Sequence, residues 1–98
     1  MSNNPILGLC TLEFYLPGMT SLKDKRSVIK SMLARLRNTF NVSAAEVGFL
    51  DQWQSAGIAV TTVSNSSQHV NEVLHNVINW IEANFPDALL VKQEIEIL

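Results

Sequence analysis

The chain is poor in cysteine and in charge, and it has no long apolar run. Cys10 is the only cysteine among 98 residues, so an internal disulfide, a zinc knuckle and a cysteine-held iron–sulfur cluster are all excluded, and we expect no cofactor. No apolar segment approaches the ~20 residues that span a bilayer. Residues 1–8 contain no Lys or Arg, unlike a signal peptide. We therefore expect a cytoplasmic protein that has no membrane partner.

The length and composition of the chain indicate one small globular domain. A chain of 98 residues buries roughly 60–65% of its unfolded surface, which supplies one modest core and no second one, so residues 1–98 form a single domain. Apolar residues make up 47% of the chain, which argues against disorder. Charged residues make up 16%, below the usual share of about 25%. This shortage indicates a surface that is partly apolar or partly occupied.

Hydrophobic periodicity predicts six elements. Apolar residues alternate with period two over residues 6–16, 42–47, 53–64 and 89–97, which is typical of strands. Helical spacing begins at Leu22, after a capping Ser21, and returns at residues 70–81. A right-handed crossover then places strand 3 antiparallel between strands 1 and 2. The prediction is an α+β ferredoxin-like split βαβ fold, with an antiparallel sheet of order 4-1-3-2 and both helices on one face.

Charge is unevenly distributed along this chain. Residues 21–40 hold six of the seven basic residues and one acid, for a net charge of +5, whereas the rest of the chain carries −7. With Leu22 at 0° and about 100° per residue, Arg26, Arg37, Lys30 and Lys23 fall at about 40°, 60°, 80° and 100°. We call these four residues the basic stripe. It is either a solvated helix flank or a surface that follows the phosphates of RNA.

Lys25 falls at about 300°, inside the apolar sector of the first helix, so its ammonium group should extend toward the end of the sheet. The crossover brings the start of this helix beside the turn that joins strands 2 and 3. We therefore predict that Lys25 or Arg26 forms an ion pair with Glu46 or Asp51.

No catalytic constellation is evident. The chain has no glycine-rich phosphate loop, no metalloprotease helix motif and no nucleophile elbow. Cys10 alternates onto the face that the helices should bury, which indicates an unreactive core thiol. We expect a protein that is not an enzyme; an unfamiliar site around Lys25 and Asp51 is the alternative.

The open face of the sheet indicates a protein partner more than stacked bases. The central positions of strands 1 and 3 are Thr11 and Ala59, not the aromatics on which RNA-recognition domains of this topology stack bases. Apolar side chains predominate on this face instead, and we expect them to form one contiguous surface that supports a homodimer or another protein contact. The predicted interface residues are Leu7, Leu9, Tyr15, Ala59, Val63 and Leu90.

Ordered motifs along the whole chain resemble one family. They are Leu16-Pro17, the element Ser21-Leu22-Lys23-Asp24-Lys25-Arg26, Phe40-Asn41-Val42-Ser43, Ala45-Glu46-Val47, Asp51 and Trp53. Together they are similar to the YlxP-like family, small bacterial proteins grouped as domain of unknown function 503. The resemblance implies a ferredoxin-like fold, a bacterial cytosolic setting and a role near RNA or the ribosome, because the family tends to be encoded beside translation factors. It implies no catalytic mechanism. The chain departs from the family at Phe49-Leu50, where a more polar turn is usual, which leaves the geometry of that turn open.

Overall fold

The computed structural model describes residues 4–98, with four strands and two helices in the predicted order. The elements are β1 Ile6–Tyr15, α1 Leu22–Thr39, β2 Ser43–Glu46, β3 Ser55–Ser64, α2 Ser67–Asn84 and β4 Leu89–Ile97. The strands form one sheet of order β2-β3-β1-β4, in which every neighbouring pair is antiparallel. Read from the other edge, this is the predicted order 4-1-3-2, and the ferredoxin-like split βαβ fold is confirmed.

The core lies between the helices and one face of the sheet. Along β1, alternate residues are buried, with Cys10 and Leu12 fully inaccessible. Gly8 lies directly against α2, since a Cβ atom there would overlap Val70 and crowd Leu74. Period-two alternation therefore assigns one face of β1 to the core, and the other face stays partly exposed.

Both helices begin at capping serines, and the sequence predicts the first of them, Ser21. The Ser21 hydroxyl accepts a hydrogen bond from the Asp24 amide at 3.1 Å, and the Ser66 hydroxyl accepts one from the His69 amide at 3.2 Å. Each bond satisfies an amide that has no partner within the helix.

The turn between β2 and β3 is longer than the sequence pattern indicates. Residues 47–54 separate β2 from β3. Two of them, Gly48 and Phe49, adopt the left-handed region, with φ of 69° and 54°. The Val47 amide donates to the Gly57 carbonyl at 2.8 Å and makes the last rung of the ladder. A Cβ atom at Gly57 would overlap the Val47 carbonyl oxygen, so this close approach requires glycine. Trp53, predicted to start strand 3, precedes it.

A β-bulge in β4 corrects one predicted interface residue. The register against β1 shifts between Glu13 and Phe14, and Phe14 pairs with Leu90. The extra residue is Val91. It exchanges the faces of the sheet on which the preceding residues of β4 lie. Leu90 consequently packs against the core, and Leu89 takes the open face with 46% of its surface exposed. The prediction of Leu90 on the open face is therefore wrong.

Candidate functional site

Lys25 is the one charged residue in the described part of the chain that is fully buried, with 1% of its surface exposed. Its Nζ atom donates to the Phe49 carbonyl at 2.5 Å and to the Gln52 carbonyl at 2.8 Å, and it lies 3.2 Å from Oε2 of Glu46. These acceptors match the three donors of an ammonium group. The predicted ion pair at the end of the sheet is confirmed, with Glu46 as the partner rather than Asp51.

This contact fixes the turn between β2 and β3. Phe49 is a non-glycine residue in the left-handed region, a conformation that persists only where surrounding contacts impose it. Its carbonyl receives both the Lys25 ammonium and the Gln52 amide, the latter at 3.0 Å. Helix α1 therefore holds the segment that leads directly into Asp51 and Trp53. Lys25 has a structural role, and the open question about the turn geometry is answered.

The basic stripe has the opposite surroundings. Lys23, Arg26 and Lys30 are all exposed. The ion pairs found in residues 4–98 are Lys25–Glu46 and Lys92–Glu94, so none of these three cations is neutralised by a carboxylate in that range. Their charges face solvent from one flank of α1.

Arg37, the fourth stripe residue, contacts the edge of the sheet. Its Nη2 atom donates to the Ala44 carbonyl of β2 at 2.6 Å, although the residue as a whole is exposed. The stripe therefore runs along the side of α1 nearest the β2 edge. A guanidinium group has five N–H donors, so one bond to Ala44 leaves others that can bind an anion.

The sequence analysis missed the role of Arg35 on the other flank of the same helix. Its guanidinium carbon lies 5.2 Å from the centre of the Trp80 ring and 5.0 Å from that of Phe85, and Nη2 donates to Oδ1 of Asn84 at 3.1 Å. The helical position, about 220°, sets Arg35 apart from the stripe. Its aromatic partners come from α2 and the residue after it, and no local pattern links them to Arg35.

A groove at one end of the sheet brings together two exposed aromatic residues. Tyr15 at the end of β1 and Trp53 in the turn are 43% and 51% exposed. The groove has a volume of about 420 Å³, and its lining consists of Tyr15, Asp51, Gln52, Trp53, Gln54 and Ser55. Tyr15 is a predicted interface residue and Trp53 a predicted structural or partner residue. The antiparallel pairing of β1 with β3 brings them together, because Tyr15 lies opposite Ser55.

The predicted interface residues do not form one contiguous surface. Leu7 and Val63 are cross-strand partners, 41% and 57% exposed, and Leu9 and Ala59 follow them half-buried on the same face. Tyr15 lies at the other end of β1. Between the two groups, Glu13 pairs with Gly57 on one side and with Lys92 on the other, so two charged side chains separate Tyr15 from the other apolar residues along β1.

Two kinds of feature are not found in residues 4–98. No helix in this range is long and apolar enough to cross a bilayer. Nor does the range contain a group of three or more His, Cys, Asp or Glu side chains placed to hold a metal ion.

Comparison with known proteins places the chain in a family. A family model described as "Protein of unknown function (DUF503)" matches residues 7–95. The chain belongs to this family. A relative described as "Uncharacterized protein YlxP", from Bacillus subtilis (strain 168), is 35% identical over 82 residues, which cover 84% of this chain and 88% of the relative. The YlxP-like, DUF503 resemblance in the sequence is thus confirmed over most of the chain.

One solved structure shows a partial likeness to this DUF503 chain. The "De novo designed protein Ferredog-Diesel" aligns with a TM-score of 0.46 and 9% sequence identity, and the alignment covers 98% of this chain and 87% of the designed one.

Proposed function

We propose that this DUF503 domain is a non-enzymatic accessory protein that binds the phosphate backbone of RNA through the basic stripe. The observation that carries the proposal is that Lys23, Arg26 and Lys30 are exposed on one flank of α1 with no carboxylate paired to them in residues 4–98. Phosphate oxygens are the ligands that such a row of cations attracts. Arg37, at the far end of the stripe, has guanidinium donors left for a fourth phosphate.

The distribution of charge restricts how RNA can approach. Residues 21–40 carry +5 and the rest of the chain −7, so a polyanion is attracted to α1 and repelled by the remaining surface. The domain therefore presents one flank that attracts phosphates. Ribosomal RNA is the first RNA to test, because the family resemblance implies a role near the ribosome.

The experiment is RNA binding as a function of salt. Each neutralised phosphate adds about −0.7 to the slope of log K against log salt for a single strand. Replacing Lys23, Arg26 and Lys30 together by Gln should reduce the magnitude of this slope by about 2 and weaken binding to all RNA sequences alike. Lys92→Gln is the matched control, because Lys92 is an exposed basic residue outside the stripe. An unchanged slope in the triple variant would refute the proposal.

A second candidate function is protein binding through the open face of the sheet, with a second copy of the chain as the simplest partner. It is favoured by the exposed pair of Leu7 and Val63, two large apolar side chains that lie side by side. Sedimentation at micromolar concentration tests it. A homodimer should sediment at twice 10.9 kDa, and Leu7→Glu should return it to the monomer. A wild-type chain that sediments as a monomer rules out the homodimer.

A further inference from the structure

We infer that the groove between Tyr15 and Trp53 binds a guanine base. The inference deepens the proposed function, because it names the part of the nucleic acid that the domain would recognise beyond the phosphates. It rests on three observations, namely the aromatic walls of the groove, the unpaired carboxylate at its rim and the buried lysine that holds its floor.

The aromatic walls provide a stacking surface that the protein itself does not use. The ring contacts found in residues 4–98 join Trp80 to Phe40 and to Phe85, and none involves Tyr15 or Trp53. Both rings are about half exposed. Single-stranded RNA is recognised largely by stacking unpaired bases on such aromatic side chains. The site is a shallow concavity of about 420 Å³ that is open to solvent, which suits the stacking of an unpaired base on its surface.

Asp51 gives the groove a preference among bases. It is exposed, and no cation pairs with its carboxylate in the described residues. The Watson–Crick edge of guanine presents two adjacent donors, N1–H and the N2 amino group, which match the two oxygens of one carboxylate. Adenine, cytosine and uracil lack this pair of donors. A carboxylate beside aromatic walls therefore favours guanine over the other three bases.

The polar lining argues against an apolar protein partner in the same groove. Apart from the two aromatics, the walls are Asp51, Gln52, Gln54 and Ser55. An apolar side chain placed there would remove the carboxylate and the amide groups from water without replacing their hydrogen bonds, which is unfavourable. A base offers both a face to stack and an edge to hydrogen-bond.

The groove is formed in advance of any ligand. Lys25 binds the Gln52 carbonyl at 2.8 Å, and the Gln54 carbonyl accepts from the Leu16 amide at 2.9 Å, so both sides of Trp53 are anchored. The same lysine places the groove near the first turn of α1. Lys23 and Arg26 project from other sides of α1 than Lys25, so a strand of several nucleotides is needed to reach from the groove to the basic stripe.

The test uses the fluorescence of Trp53 in a Trp80→Phe chain, where Trp53 is the remaining tryptophan. GMP should quench the emission at concentrations roughly tenfold lower than AMP, CMP or UMP, since one bidentate contact gives about that discrimination. Asp51→Asn should remove the preference for GMP. Asp87→Asn is the matched control, because Asp87 is an exposed acid that does not line this groove. Tyr15→Ala should weaken the binding of all four nucleotides, because it removes one stacking surface.

A second experiment distinguishes a site for a free nucleotide from a site for RNA. It also tests the guanine site independently of the proposed function. An oligouridine with one central guanosine should bind at least tenfold more tightly than GMP, and the variant with Lys23, Arg26 and Lys30 replaced by Gln should lose that gain while it keeps the preference for GMP. Equal binding of oligonucleotide and GMP would support the guanine site as one for a free nucleotide and would count against the stripe. Equal quenching by all four nucleotides, or an unchanged preference in Asp51→Asn, would overturn the guanine site whatever the stripe does.

Discussion

Lys23 and Lys25 lie two residues apart on α1 and have opposite surroundings. Lys25 is buried and bonded to the turn after β2, whereas Lys23 is exposed and belongs to a row of cations with no carboxylate partner in residues 4–98. Position around the helix decides the difference, because the two side chains project from nearly opposite sides, about 160° apart. Basic residues in one short motif thus divide into one that holds the fold and others that remain available to a ligand.

The strongest way to break this comparison is to remove the charge of Lys25. Lys25→Met keeps the long stem but leaves Glu46 and the carbonyls of Phe49 and Gln52 without their donor. Removing one partner of a buried pair costs about 3–5 kcal/mol, and we expect the low end because Glu46 is 20% exposed. Urea unfolding measures the loss. Lys23→Met is the control, with an expected change within about 0.5 kcal/mol; equal effects of the two substitutions would contradict the structural role of Lys25.

The turn held by Lys25 depends on a second residue, Gly57. Gly57→Ala should lower the free energy of unfolding by about 3 kcal/mol, because the new Cβ atom would overlap the Val47 carbonyl oxygen and backbone cannot yield as a flexible side chain does. Gly18→Ala is the matched control, since a Cβ atom there meets nothing within 4 Å. We expect that variant to be neutral or more stable by about 0.4–1 kcal/mol. Thermal unfolding of both variants provides the measurement, and a neutral Gly57→Ala would show that β2 and β3 can separate without cost.

Cys10 shows what burial does to an ionisable group that has no partner of opposite charge. Burial raises the pKa of this thiol from 9.0 to about 11. Above pH 9 the unfolded chain loses the thiol proton that the native chain retains, so stability falls as the pH rises between these values. Relative to Cys10→Ala, the wild type should lose about 2 kcal/mol between pH 8 and pH 11, measured by urea unfolding at both pH values. Parallel pH profiles of the two chains would show that Cys10 ionises freely in the folded state.

Much of this architecture could be predicted from the sequence because it depends on local patterns. Alternation assigned the faces of β1, serines marked the helix starts, and the helical angle of Lys25 placed it toward the core before any partner was known. The rule of right-handed crossovers then supplied the strand order. These features need only short windows of sequence and a topological rule.

The remaining features depend on contacts between distant segments. The bulge at Val91 shifts Leu90 to the core, but the apolar pattern in the sequence of β4 gives no sign of it. The groove joins Tyr15 to Trp53, which lie 38 positions apart, because Tyr15 pairs with Ser55 at the start of β3 and Lys25 holds the Gln52 carbonyl beside Trp53. The sequence predicts a turn between strands 2 and 3, but the left-handed conformation of Phe49 has no sequence signal. The fold was therefore more accessible to sequence reasoning than the candidate sites.

The smallest expected effect on stability concerns two exposed cations of α1. Arg35 contacts aromatic rings and Asn84, whereas Lys30 belongs to the basic stripe. Arg35→Met retains much of the apolar stem but loses the guanidinium over Trp80 and Phe85 and the hydrogen bond to Asn84. An exposed cation–π contact contributes about 0.5–1 kcal/mol, so we expect a loss of about 1 kcal/mol in the free energy of unfolding. Lys30→Met, on the stripe, should change stability by less than about 0.5 kcal/mol.

Chemical unfolding with the fluorescence of Trp80 as the probe compares the stability of the two variants. RNA binding should respond in the opposite order, with Lys30→Met weakening it and Arg35→Met leaving it intact. If both substitutions proved equal in stability and in binding, the two flanks of α1 would not differ in role.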